Sequence, residues 1–127
     1  MDSAFTLLNK TKGKLPSLPF ADMKTAILGN GYELSLVFVS EKEMHEINMK
    51  SRGKDKPTNI LSFPLDAHTG EIFICPTYSK KEAPDFDRTY ENYLAFLFIH
   101  GLVHLKGFDH GSRMEAEEEK FRTLFGI

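Results

Sequence analysis

A second cysteine, an excess of charge of one sign and a hydrophobic run long enough to cross a membrane are all missing from this sequence. Cys75 stands alone, so no internal disulfide can form. The N-terminus, MDSAFTLLNKTKGK, lacks the basic-then-apolar order of a signal peptide, and both features predict a reducing, cytoplasmic location. The strongest apolar run, Tyr93 to Leu105, is shorter than the ~20 residues that a bilayer requires and contains two histidines. It reads as a buried core helix, and no membrane partner is expected. Lys+Arg 16 against Asp+Glu 18 gives a formal net charge of −2 and a pI near 6.2, which argues against nucleic-acid binding through overall charge. Any basic patch has to lie in a specific segment.

What is present is the composition of one folded domain. At 127 residues, 41% hydrophobic and 27% charged, the chain can bury a core without disulfides, and residues 1–127 are read as a single domain. Ala4 to Leu8 is a short apolar piece that suits an edge strand. A helix follows with Pro19 in its first turn, Met23, Ala26 and Ile27 at helical spacing and Gly29 to Gly31 as its stop. Leu34 to Val39 is apolar on both faces, as expected of an interior strand. Ser40 to Glu43 is a capping box that starts a helix with Met44 and Ile47 inward, ending near Arg52 and Gly53. Ile60 to Leu65 and Glu71 to Cys75 read as an antiparallel hairpin joined by Asp66 to Gly70. Pro76 to Asp87 is polar with two prolines and reads as a loop before a long helix at about 88–106. A second capping box, Ser112 to Glu115, starts a terminal helix with Met114, Phe121, Leu124 and Phe125 inward. The expected fold is α/β (α+β), a mixed, roughly four-stranded sheet packed by helices.

The chemistry is concentrated in the segment HGLVHLKGFDH, residues 100–110. Residues four apart share a helix face, so His100 and His104 can aim at one point. Gly107 can take positive φ without steric cost, reverse the chain and return His110 to the pair. Three neutral imidazoles with a fourth position left open describe a catalytic zinc site, one divalent ion per chain. Asp109 either fixes the turn or orients a ligand imidazole. The spacing also equals that of the metzincin peptidases, but Gly101 replaces the glutamate that those enzymes use as base.

Arg52, Lys54 and Lys56 place three cations within five residues beside Pro57, Thr58, Asn59 and Ser62. Cations next to short hydrogen-bonding side chains suit a phosphate backbone. A guanidinium can grip two phosphoryl oxygens at once and stays charged near neutrality, which singles out Arg52. Cys75 reads as a core thiol, Phe96 and Phe98 as core rings, and His45 and His68 as surface residues. The acidic run Glu115 to Glu119 is placed away from the groove, because its charge would repel a phosphate backbone.

The histidine segment resembles the H-G-x-L-H-L-x-G-Y-D-H signature of the YbeY endoribonucleases, bacterial ribosomal RNA maturation factors, with Val103 and Phe108 as mild departures. Asn48 to Pro64, NMKSRGKDKPTNILSFP, is similar to the family's N-x3-R-x2-D-x-P-T-D/N-V-L-S-F-P block. Gly70-Glu71-Ile72 stands where the family usually has Gly-Asp-Ile, and the likeness runs over about residues 34–126. The resemblance implies a zinc-dependent, single-strand-specific endoribonuclease of ribosomal RNA maturation and ribosome quality control. It implies RNA as substrate, a ribosomal subunit or ribosomal proteins as partners, and a functional role for Arg52 and the three histidines. Two further classes remain open: a zinc peptidase or amide hydrolase, opposed by Gly101, and a non-catalytic RNA- or ribosome-binding protein with a structural metal.

Overall fold

The computed structural model describes residues 4–127. Strands β1 (Phe5–Asn9), β2 (Glu33–Phe38), β3 (Ile60–Asp66) and β4 (Thr69–Ile74) form a mixed sheet in the order β1-β2-β4-β3. β1 and β4 both run parallel to β2, and β3 is antiparallel to β4. The interior position of β2 follows from its two apolar faces. Leu34, Leu36 and Phe38 point to one side, where Ile72 and Ile74 of β4 join them, while Val37 points to the other.

Helix α1 (Phe20–Leu28) and helix α4 (Tyr90–Leu105) cover the first side. Leu94, Ala95, Phe98, Ile99, Leu102 and Val103 of α4 are all fully buried. Burying each of the larger ones contributes about 1.5–3 kcal/mol. Helix α2 (Glu41–Arg52) covers the other side, with Met44 packed on Val37, Leu61 and Cys75. It starts where the capping box places it, since Ser40 accepts a hydrogen bond from the Glu43 amide, and it stops at Gly53, which has a φ of 68°.

Several sequence expectations need correction. Pro76 to Asp87 is not a loop: Pro76–Glu82 is helix α3 and Ala83–Phe86 a 3-10 turn. Pro76 occupies the first turn of α3, where its missing N–H has no helical partner to lose, and Pro84 does the same in the 3-10 turn. The hairpin is tighter than expected, with only Ala67 and His68 between β3 and β4. Helix α5 (Ser112–Phe125) is capped by Gly111, with a φ of 150°, and Ser112 already lies inside the helix, so the second capping box does not form. Leu124 is 64% exposed rather than inward, whereas Met114 and Phe121 are buried. Pro19 immediately precedes α1 as its cap, and β1 extends to Asn9.

Gly101 sets the distance between α4 and β3. A Cβ there would stand 2.8 Å from Ile60 Cδ1 and 2.9 Å from Ser62 Oγ, so the strand lies directly against the helix at the turn that carries the histidines. Any larger residue at this position would make the Ile60 and Ser62 side chains shift.

Candidate metal centre and its two grooves

His100 and His104 project from the last turns of α4, which ends at Leu105. Gly107 follows with a φ of 110°, and its amide donates to the His104 carbonyl at 3.0 Å, so the chain reverses within a few residues. The reversal brings His110 Nε2 to 3.4 Å from His104 Nε2. One ligand atom from each of His100, His104 and His110 lies within 4.8 Å of the others, a group that can hold a metal ion. Two nitrogens bound tetrahedrally to a zinc-sized ion at about 2.0–2.1 Å would be about 3.4 Å apart, so the His104 to His110 spacing fits such an ion. The donor set, three imidazoles, suits borderline metals over calcium or magnesium.

Burial holds the His104 pKa below its ordinary value, and the neighbouring His100 and His110 imidazoles add to the effect, partly opposed by Asp109. The neutral form that a metal requires is therefore favoured at His104. His100 Nδ1 lies 2.9 Å from Glu118 Oε1 on α5. A carboxylate only accepts, so Nδ1 donates and the Nε2 lone pair is left for a ligand.

Glu118 corrects the placement of the acidic run. The side chain is 10% exposed and faces the histidines, and Arg122 Nη1 lies 3.8 Å from the same carboxylate oxygen. The signal was present in the sequence: Met114, Glu118 and Phe121 fall at helical spacing on one stripe, and a carboxylate on a buried stripe needs a partner. Phe96 also departs from expectation, being only half-buried, while Phe98 is fully buried.

Two grooves meet at the histidines. The first, of about 570 Å³, is lined by Arg52, Thr58, Asn59 and Ser62 from the α2 to β3 segment, facing His100, His104, Asp109 and His110. Arg52 is exposed at the end of α2, with Nη1 3.5 Å from Asn48 Oδ1. Asn48 is buried and donates to the Lys56 carbonyl at 2.8 Å, tying the helix end to the loop. Ser62 Oγ donates to the Gly101 carbonyl at 3.4 Å. The Asn59 side chain is held by the protein itself: its Nδ2 donates to Glu82 at 3.0 Å and its Oδ1 accepts from the Ile60 amide. Lys54 and Lys56 are exposed and do not line this groove, and Glu71 lines a separate hollow with Thr6 and Ser35. The second groove, of about 440 Å³, opens on the α5 side and is lined by Phe86, Tyr93, Phe96, Glu115, Glu118 and Arg122 among others.

Cys75 is buried in the α2 side of the core, and burial pushes its thiol pKa up, so it is an inert core group. His45 lies 2.7 Å from Asp55, and His68 is exposed on the hairpin turn. No helix among the described residues is long and apolar enough to cross a membrane.

Comparison with known proteins agrees with this architecture. A protein of Thermotoga maritima named endoribonuclease YbeY is 39% identical over 95 residues, which are 72% of this chain and 60% of that protein. One of Lactobacillus gasseri with the same name is 31% identical over 116 residues, 77% of this chain and 63% of that protein. The chain thus spans 60% to 63% of the length of these curated relatives. A solution structure of a Thermotoga maritima protein superposes with a TM-score of 0.68 at 29% identity, covering 96% of this chain and 89% of that one. The family model described as endoribonuclease YbeY matches residues 17–124, and the chain belongs to that family.

Proposed function

We propose that this chain is a metal-dependent endoribonuclease that cuts single-stranded RNA in ribosomal RNA maturation and ribosome quality control. Residues 1–127 act as one hydrolase domain in the cytoplasm, and a ribosomal subunit or its proteins present the RNA. The observation that carries the reading is that three imidazoles and the Arg52 guanidinium line one groove. His100, His104 and His110 hold one divalent ion, zinc by the chemistry of the donors. When bound, the ion supplies Lewis-acid charge at a phosphoryl oxygen and makes water more acidic.

The protein groups do the positioning. Glu118 fixes the His100 ring through Nδ1. Arg52 offers a two-pronged cation to the phosphate whose charge grows during cleavage, with Asn48 behind it. Thr58 and Ser62 line the same wall with their hydroxyls, and Asp109 lines it beside His110. The peptidase reading is opposed by Gly101, which offers no carboxylate base beside the histidines.

The test couples elemental analysis to cleavage of single-stranded RNA, with wild type and His104→Ala purified in parallel. One divalent ion per chain and cleavage only by wild type are expected. Equal cleavage by both proteins would remove the enzyme reading, and RNA binding without cleavage by either would favour the binding-protein class. Product ends separate the routes: a 2′,3′-cyclic phosphate marks attack by the RNA's own 2′-hydroxyl, whereas hydrolysis leaves none.

A further inference from the structure

The groove on the α5 side adjoins the site just described, sharing Asn59, Ile60, His100 and His110 with the Arg52 groove. A strand whose phosphate lies against Arg52 and the histidines therefore continues directly into it. Its floor is aromatic. The Phe86 and Tyr93 rings stack with centroids 5.0 Å apart and planes 23° apart, and Tyr93 stacks on Phe96 at 5.8 Å and 15°. Tyr93 is 1% exposed and its hydroxyl donates to Glu82 at 3.0 Å, so the middle ring is fixed from both ends. Phe86, by contrast, is 50% exposed on top of this support.

Charge distinguishes the two grooves. Arg122 lines the α5 side, but so do Glu115 and Glu118, and the Arg122 guanidinium is already placed over the Phe96 ring and near Glu118. Phosphates gain little there, whereas a flat neutral ring meets an aromatic surface held in place before it binds.

We infer that this groove is a nucleobase subsite, in which Phe86 stacks on the unpaired base next to the phosphate held on the Arg52 side. The inference rests on the RNA-cleaving reading for its ligand class and deepens it by naming the part of the strand that is recognised. Stacking of this kind tolerates any base, because every base has a π-face. It also requires the base to be unpaired, which a stacked duplex base is not.

The sequence contains no tryptophan, so Phe86→Trp supplies a single fluorescent reporter in the subsite itself. A short single-stranded RNA is mixed with this variant by stopped flow, together with copies carrying one abasic position at each place in turn. The expected result is quenching that disappears when the abasic position falls at one particular place. In parallel, Phe86→Ala and Phe86→Leu should bind labelled RNA about 5- to 20-fold more weakly than wild type, with metal content and melting temperature unchanged. Phe86→Leu keeps an apolar side chain, so a folding defect in the alanine variant does not decide the matter. Quenching that is absent, or equal for every abasic copy, overturns the subsite, as does unchanged affinity of Phe86→Leu. If base-dependent quenching holds while RNA is never cut, the nuclease reading fails and the subsite stands. If RNA is cut without base-dependent quenching, the subsite fails and the nuclease reading stands.

Discussion

The groove on the Arg52 side and the groove on the α5 side meet at the same histidines, but they are assembled differently. The first carries the Arg52 guanidinium and the Thr58 and Ser62 hydroxyls among apolar side chains such as Leu61 and Phe63, and it draws one wall from a single part of the chain, Arg52 and Thr58 to Pro64. The second is aromatic and acidic, and collects Phe86 from a 3-10 turn, Phe96 from α4 and Glu118 from α5. The contrast suits a polymer with charged phosphates along one edge and flat bases along the other. It also explains why the first groove is readable as a motif, while the second exists only once the chain has folded.

The strongest way to break the comparison is to remove the point where the grooves meet. Chelating the metal should abolish cleavage and lower the melting temperature while leaving a single cooperative transition, since the core clusters of α1, α2 and α4 do not include the histidines. An ion present at 1,000 times its dissociation constant stabilises by about 4 kcal/mol, which sets the scale of the shift. Calorimetry of matched metal-free and metal-bound samples checks this, and a metal-free sample with no cooperative transition contradicts it.

Next in size is Arg52, which belongs to the first groove alone. Arg52→Ala should lower single-turnover cleavage about 10- to 1,000-fold, roughly 1.4 to 4 kcal/mol of transition-state stabilisation, with RNA affinity less affected. Arg52→Lys should recover little, because it keeps the charge and loses the fork. An exposed arginine at a helix end leaves the melting temperature unchanged. If Arg52→Ala cleaves like wild type, the first groove is only a solvated face.

Much of this arrangement was legible before folding, for reasons that differ by element. The interior strand showed in the apolar faces of Leu34 to Val39, and the start of α2 in Ser40, which accepts from the Glu43 amide, although the Glu43 carboxylate pairs with Lys10 instead of closing the capping box. The histidine cluster was legible because its geometry is local: a helical i, i+4 pair and a glycine that reverses the chain. Proline misleads at α3, because Pro76 stands in the first turn, where it is compatible with a helix. Ser112 misled at α5, because the return of His110 leaves Gly111 at the cap and draws Ser112 into the helix. Glu118 was legible in principle from the stripe that it shares with Met114 and Phe121. Phe86 was not, since nothing in its neighbourhood in the chain signals Tyr93 or Phe96.

Glu118 sharpens the comparison because it lines the aromatic groove and yet hydrogen-bonds the His100 imidazole. Glu118→Ala should weaken metal affinity about 10- to 100-fold, as loss of a carboxylate behind a ligand imidazole does elsewhere. Glu118→Gln keeps an acceptor oxygen and should lose less. Competition with a chromogenic chelator measures both. Unchanged affinity in Glu118→Ala would make its bond to His100 a packing contact only.

The smallest effect belongs to Lys54 and Lys56, which share the cationic segment with Arg52 yet stand outside the lining of both grooves. Their exposed ammonium groups stand free of both grooves, so on RNA they would act by releasing counterions rather than by holding one phosphate in place. The double change Lys54→Ala, Lys56→Ala should leave the single-turnover rate at saturating RNA as it is. It should weaken RNA binding at low salt and flatten the slope of log affinity against log salt by at most about 1.4, since each contact to a single strand contributes about 0.7. Binding titrations at several salt concentrations measure the slope, with Arg52→Ala run alongside. A fall in the saturated rate like that of Arg52→Ala would move both lysines into the first groove, and an unchanged slope would leave them as ordinary surface charge.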